Sequence, residues 1–109
     1  MSGDAGLTSG SALLIVKRGP NAGFRFVLDR PSVSAGRHPR SDIFLDDITV
    51  SRHHVEFLLE NRRFRIVDAS SLNGTRVNGQ PVDAALLANG DEIQIGNFRL
   101  VFLTRPTPG

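Results

Sequence analysis

Three polar residues stand where alternating apolar runs give way to turn-forming sequence. They are Arg37 in Ser34-Ala35-Gly36-Arg37-His38, Ser51 in Val50-Ser51-Arg52-His53-His54, and Asn73 in Ser70-Ser71-Leu72-Asn73-Gly74-Thr75. Their types suit an anion receptor. A guanidinium is a planar, permanently charged fork whose N–H groups match phosphate oxygens, and Gly36 lets the chain turn so that it can reach out. A hydroxyl with neighbouring backbone N–H groups adds donors, and an amide side chain can hold the peptide that carries the phosphate. No reacting group is needed. Each residue also has an ordinary reading, since most of the twelve arginines are solvated, loop serines bond their own backbone, and Asn-Gly pairs form turns.

Groups from separate loops converge only if a scaffold holds them, and 109 residues suffice for one domain with one core. The composition, 39% hydrophobic and 22% charged, is that of a globular protein. Cysteine is absent, which excludes disulfides and thiolate metal sites. No apolar run approaches the ~20 residues of a membrane span, and the N-terminus lacks the order of a signal peptide, so a cytoplasmic location is expected. The pI of about 10.4 overstates basicity. The formal net charge is only +2; with no Tyr, no Cys and Lys17 as the single lysine, few groups lose protons between the histidine and arginine ranges.

Short β-type runs alternate with turn signals along the chain, and no stretch has helical periodicity. Strands are expected at residues 12–17, 24–28, 32–36, 43–45, 54–59, 64–67, 75–77, 80–82, 92–95 and 98–103. Asn78-Gly79 and Gly96-Asn97 are two-residue hairpin turns. The pattern argues for an all-β domain, a sandwich of two packed sheets. Residues 1–11 and 104–109 are expected to be flexible tails flanking a domain over 12–103.

The order Gly36-Arg37, then Ser51-x-x-His54, then Ser71-x-Asn73-Gly74-Thr75 with Asn78-Gly79 following resembles the forkhead-associated (FHA) domain. The resemblance spans roughly residues 12–103. It implies a β-sandwich of about eleven short strands that recognises phosphothreonine in peptides, downstream of a bacterial Ser/Thr kinase. Further stretches, among them Ala35-Gly36-Arg37-His38-Pro39 and Ser41-Asp42-Ile43-Phe44-Leu45-Asp46-Asp47, are similar to the FHA domain of actinobacterial regulators of 2-oxoglutarate and glutamate metabolism. Those regulators carry an N-terminal paired-threonine site whose phosphorylation docks the tail in the domain's own pocket and shuts off binding to metabolic enzymes. Residues 1–11 here contain Thr8 alone. A second function is thereby implied, phospho-independent regulation of 2-oxoglutarate- or glutamate-metabolising enzymes through the same surface.

Carried over by position, the resemblance makes Arg37, Ser51, Arg52, Ser71, Leu72 and Asn73 the phosphothreonine-binding residues, with Asn73 on the peptide backbone. Gly36, His54, Gly74, Thr75 and Asn78 become structural supports, with His54 tying the loops from beneath. Phosphothreonine proteins, including a Ser/Thr kinase, are the expected partners of a monomer without cofactor.

Other classes fit less well. Ser51, His54 and Asp68 have the residue types of a hydrolytic triad, but the Gly-x-Ser-x-Gly elbow is missing and no enzyme is expected. His38, His53 and His54 are possible metal ligands by type. Adjacent histidines on a strand face opposite surfaces, however, so no metal site is expected. The arginines are interleaved with eleven acids and no aromatic platform accompanies them, so nucleic acid is not the expected partner.

Overall fold

Inward-facing apolar residues recur at every second position along most strands, and that period of two dictates a half-buried sheet. In the computed structural model, which describes residues 11–104, eleven strands realise it: β1 (Ala12–Arg18), β2 (Arg25–Leu28), β3 (Ser32–Gly36), β4 (Ile43–Phe44), β5 (Val55–Glu60), β6 (Arg63–Asp68), β7 (Thr75–Val77), β8 (Gln80–Pro81), β9 (Ala84–Leu86), β10 (Glu92–Ile95) and β11 (Phe98–Thr104). They form two sheets, ordered β2-β1-β11-β10-β7-β8 and β4-β3-β5-β6-β9. Every strand pair is antiparallel except β3 with β4.

Leu14 and Val16 of β1, Ile93 and Ile95 of β10, and Phe98, Leu100 and Phe102 of β11 are buried on the inner face of the first sheet. Val33, Val55, Phe57, Phe64 and Ile66 are buried on the second. Phe64 and Phe102 meet edge to face across the interface, ring centroids 5.8 Å apart. This is the expected all-β sandwich. Among the described residues no helix is long and apolar enough to cross a membrane.

Ten of the strands lie where the alternation places them, with ends shifted by a residue or so. The other, β9, pairs with β6 through Arg65↔Leu86 and Val67↔Ala84. Its Ala-Ala-Leu sequence carries little β propensity, and tertiary pairing makes it a strand. The expected tails lie outside the described residues except for Ser11, which is buried, and Thr104, which ends β11.

Register fixes which loops share an end of the sandwich. Ala35 of β3 pairs with Val55 at the start of β5, and Val55 with Asp68 at the end of β6. Ile95 at the end of β10 pairs with Thr75 at the start of β7. The segments beginning at Arg37, spanning 45–54 and 69–74, and the turn Gly96-Asn97 therefore cluster at one end.

Candidate functional site

The segment from Thr49 to Arg52 is the spine of this loop cluster, because its consecutive carbonyls bond two other loops, through Asn73 on one and Arg37 and His38 on the other. The Thr49 carbonyl accepts from Asn73 Nδ2 at 2.8 Å, and the Val50 carbonyl accepts from Arg37 Nε at 3.0 Å. The Ser51 carbonyl accepts from Arg37 N at 2.9 Å, and that of Arg52 from His38 N at 3.2 Å. Ser51 Oγ accepts from Leu72 N at 2.9 Å.

Arg37 is thus held by its Nε and its backbone while its terminal guanidinium nitrogens bond nothing among the described residues. The Ser51 hydroxyl accepts one bond and keeps its own O–H to donate. Arg37, Arg40 and Arg52 are exposed, and among the described residues none has a carboxylate partner. Desolvation, and after it the neighbouring charges of Arg52, His53 and Arg40, hold the His38 imidazole below its ordinary value. Neutral His38 accepts from Arg40 N through Nδ1 at 2.9 Å and stacks on His53.

Beneath these groups lies a buried polar layer. His54 is fully buried (0% exposed). Its Nδ1 accepts from Ser51 N at 3.0 Å, and its Nε2–H donates to the Gly74 carbonyl at 2.9 Å. Both ring nitrogens are used, and the two partners define the neutral Nε2–H tautomer. Asp68 binds the third loop: its carboxylate accepts from Ser71 N at 2.8 Å, Ser71 Oγ at 2.6 Å and Thr75 Oγ1 at 2.6 Å. Burial pushes the Asp68 carboxyl up, but hydrogen bonds from the Ser71 hydroxyl, the Thr75 hydroxyl and the Ser71 N–H leave it lowered overall. Thr49 is a further junction. It bonds Asp47 through its N–H and hydroxyl, and its Oγ1 accepts from Asn97 N at 2.8 Å.

The two glycines that matter most here serve close approach. A Cβ on Gly36 would sit 2.1 Å from the Arg52 carbonyl oxygen, so the expected role in turning the chain gives way to tight loop packing. A Cβ on Gly96 would sit 2.5 Å from Thr49 Oγ1.

Arg37, Ser51, Arg52 and Asn73 lie on the loops at this end, His54 and Thr75 are buried behind them, and Gly74 is exposed and lines the cleft beside Asn73. Asn73 spends one amide N–H on Thr49 and keeps its Oδ1 as an acceptor. Two of the expected contact residues are otherwise engaged. Both Ser71 donors go to Asp68, and the Leu72 N–H goes to Ser51. Asn78 ties the β7–β8 turn to the start of β10, accepting from Glu92 N and donating to Asp91. Sequence reasoning missed Asp68 as an organising acceptor and Thr49 as a junction. The Asp68-x-x-Ser71 spacing was a usable signal, since a carboxylate commonly accepts from nearby downstream donors. Beyond Asn73 a polar cleft of about 220 Å³ opens, lined by Thr49, Gly74, Arg76, Gln94, Gly96 and Asn97. Among the described residues no group of three His, Asp or Glu side chains could hold a metal ion.

The family model described as "FHA domain" matches residues 25–96. The chain is 72% identical over 106 residues to the glycogen accumulation regulator GarA of Mycolicibacterium smegmatis, covering 97% of this chain and 67% of that protein. It is 62% identical over 105 residues to the oxoglutarate dehydrogenase inhibitor of Corynebacterium glutamicum, covering 96% of this chain and 73% of that one. A solved FHA domain studied for phosphothreonine-dependent interactions superposes with TM-score 0.81 at 31% identity, over 89% of this chain and 99% of that chain.

Proposed function

The chain belongs to the FHA family, and we propose on that premise that its loop end is a phosphothreonine-peptide receptor, a signalling module acting downstream of a Ser/Thr kinase. The observation that carries the reading is the pairing of Arg37 with Ser51. The arginine is tethered by Nε with its terminal nitrogens free, on the same spine as a hydroxyl whose proton is free. Charge-assisted bonds to a phosphate dianion are the strong ones, and a site already bonded together loses little entropy on binding. Arg52 adds positive field, and Asn73 Oδ1 can accept from a peptide N–H. Ser71, Leu72 and the buried His54 and Thr75 act by holding the loops. The domain binds and does not catalyse, as a cytoplasmic monomer without cofactor.

A second reading is favoured by the relatives' names. The same face would engage a 2-oxoglutarate- or glutamate-metabolising enzyme without phosphorylation. One experiment separates the two. Immobilised domain is offered a degenerate phosphothreonine peptide library and, in parallel, lysate with and without phosphatase treatment. Retention of phosphorylated peptides alone, with partners lost on phosphatase treatment, supports the receptor. Partners that survive treatment and are released by Arg37→Ala support the second.

A further inference from the structure

We propose that β2 is a self-pairing edge, through which two copies of the chain join antiparallel, with Val27 opposite Val27 of the second copy and Arg25 opposite its Asp29. The inference stands apart from the receptor reading and concerns the side of the sandwich, away from its loop end.

Four strands end the two sheets, β2 and β8 on one and β4 and β9 on the other. An edge strand is a template for pairing unless something blunts it. β8 has two residues, one of them Pro81, which lacks an N–H; β4 has two and β9 three. β2 has four, Arg-Phe-Val-Leu, with no proline or lysine. Its open backbone groups follow from the ladder. Val16 N donates to the Phe24 carbonyl at 2.9 Å, in step with the pairs Leu14↔Phe26 and Ala12↔Leu28. The even-numbered residues of β2 therefore turn their N–H and C=O toward β1, and Arg25 and Val27 turn theirs to the open edge.

Leu28 is buried and Phe26 packs against the core, so Arg25, Val27 and, just past the strand, Asp29 fall on the outer face. Val27 is 55% exposed. Arg25 and Asp29 are exposed, and neither has an ion-pair partner among the described residues. Antiparallel pairing centred on Val27 serves all three. It joins the outward backbone groups, sets valine against valine, and places each guanidinium across from a carboxylate, a favourable cross-strand pair. Centring on Arg25 or Asp29 instead sets like charges face to face, and centring on Phe26 or Leu28 leaves Arg25 with no acid opposite. The edge is complementary to itself in one register. Val27 stands beside the half-buried Leu13, and Leu13 beside the half-buried Leu103, so the joined copies carry one apolar row across both sheets. The two-fold axis runs perpendicular to the sheet; the loop ends then point opposite ways and neither is covered. So short an edge buries far less than the ~1,200 Å² of a stable complex, which leaves dilute protein monomeric and sets Kd on the order of 1 mM.

Sedimentation equilibrium from about 0.05 to 2 mM protein, with backbone amide shifts followed over the same range, tests this. The unsubstituted chain is expected to pass from monomer to roughly half dimer or more, with shifts concentrated at Arg25 and Val27. Arg25→Asp and Asp29→Arg each put like charges on the edge, and each should weaken association by about tenfold or more at unchanged melting temperature. An equimolar mixture of the two should recover it, because opposite charges then meet at both ends of the pair. Val27→Pro removes an outward N–H and spares the β1 ladder, so this variant should keep its melting transition and stay monomeric. A chain that is monomeric at ~2 mM, a mixture no better than its components, or a folded Val27→Pro protein that associates as the original does overturns the inference. Capture of an unrelated extended peptide by an edge that does not pair with itself overturns it as well.

Discussion

Ser51 and His54 are joined through the serine's backbone N–H, which donates to His54 Nδ1 at 3.0 Å, and not through its hydroxyl. In a hydrolytic pair the imidazole takes the hydroxyl proton, and a third group orients the ring. Here the hydroxyl accepts from Leu72 N, and the other ring nitrogen holds the Gly74 carbonyl. The histidine anchors two loops, and Ser51 Oγ is left as a neutral donor.

Arg37→Ala is expected to abolish measurable phosphopeptide binding, a loss exceeding ~100-fold if two charge-assisted bonds of roughly 1.5–3 kcal/mol each disappear. The melting temperature should fall only slightly, because the side chain is exposed and makes one bond to the Val50 carbonyl. Arg37→Lys should recover little, since a point charge cannot reproduce a tethered fork. Near-normal affinity of Arg37→Ala in calorimetric titration would move the phosphate site elsewhere.

His54→Ala should weaken binding and stability together. It takes the partner from the Ser51 N–H and the Gly74 carbonyl beside the half-buried loop junction, at a cost of about 1 kcal/mol for the lost hydrogen bonds, beyond that of emptying the buried ring's place. Urea unfolding measures the stability and titration the affinity. Lost binding at unchanged stability would instead place His54 in contact with the ligand.

How far the sequence reveals this architecture depends on whether a feature is local. The alternation in residues 12–17 and 98–103 reports burial directly, and Asn78-Gly79 reports a turn with positive φ at both positions (52° and 83°). β9 shows no such signal, because Ala84–Leu86 is a strand only by pairing with β6. Arg37, Ser51 and Asn73 stand out by residue type and motif order. Their tethers do not, since the Val50 and Thr49 carbonyls that fix Arg37 and Asn73 are backbone atoms with no sequence signature. Gly36 is visible as a glycine, but the contact that demands one, with the Arg52 carbonyl, spans sixteen positions of chain.

Gly36→Ala should therefore be more damaging than a surface glycine change. The added Cβ would lie 2.1 Å from the Arg52 carbonyl oxygen and 3.1 Å from that of Ser51. Relief requires parting the segments joined by the Arg37 N–Ser51 O and His38 N–Arg52 O bonds. A stability loss of about 1–3 kcal/mol, the range for overpacking, is expected together with weakened phosphopeptide binding. A Gly36→Ala protein with the unfolding midpoint and affinity of the original would show that the two loops do not pack this closely in solution.

Acid should loosen the site through Asp68, and the direction follows from its partners. Its folded carboxyl lies below the ordinary 3.8, because hydrogen bonds from Ser71 and Thr75 outweigh the upward push of burial. A carboxyl lowered on folding adds stability above its unfolded value, and that contribution is lost as pH falls through the folded one. Asp42 and Asp47 are lowered too, Asp42 chiefly by the Ser34 backbone N–H and Asp47 chiefly by the Thr49 hydroxyl, so the whole domain should weaken below about pH 4. Asp68→Asn isolates one contribution. Its amide nitrogen cannot accept from the Ser71 and Thr75 hydroxyls, so at pH 7 the variant should be less stable by about 1–2 kcal/mol and bind phosphopeptide more weakly. Melting curves between pH 7 and pH 2.5 should show the gap holding to about pH 4 and narrowing below it, as the original carboxyl gains its proton. A gap that stays constant to the lowest pH would mean that the Asp68 charge contributes nothing to holding the Ser71 and Thr75 loop in place.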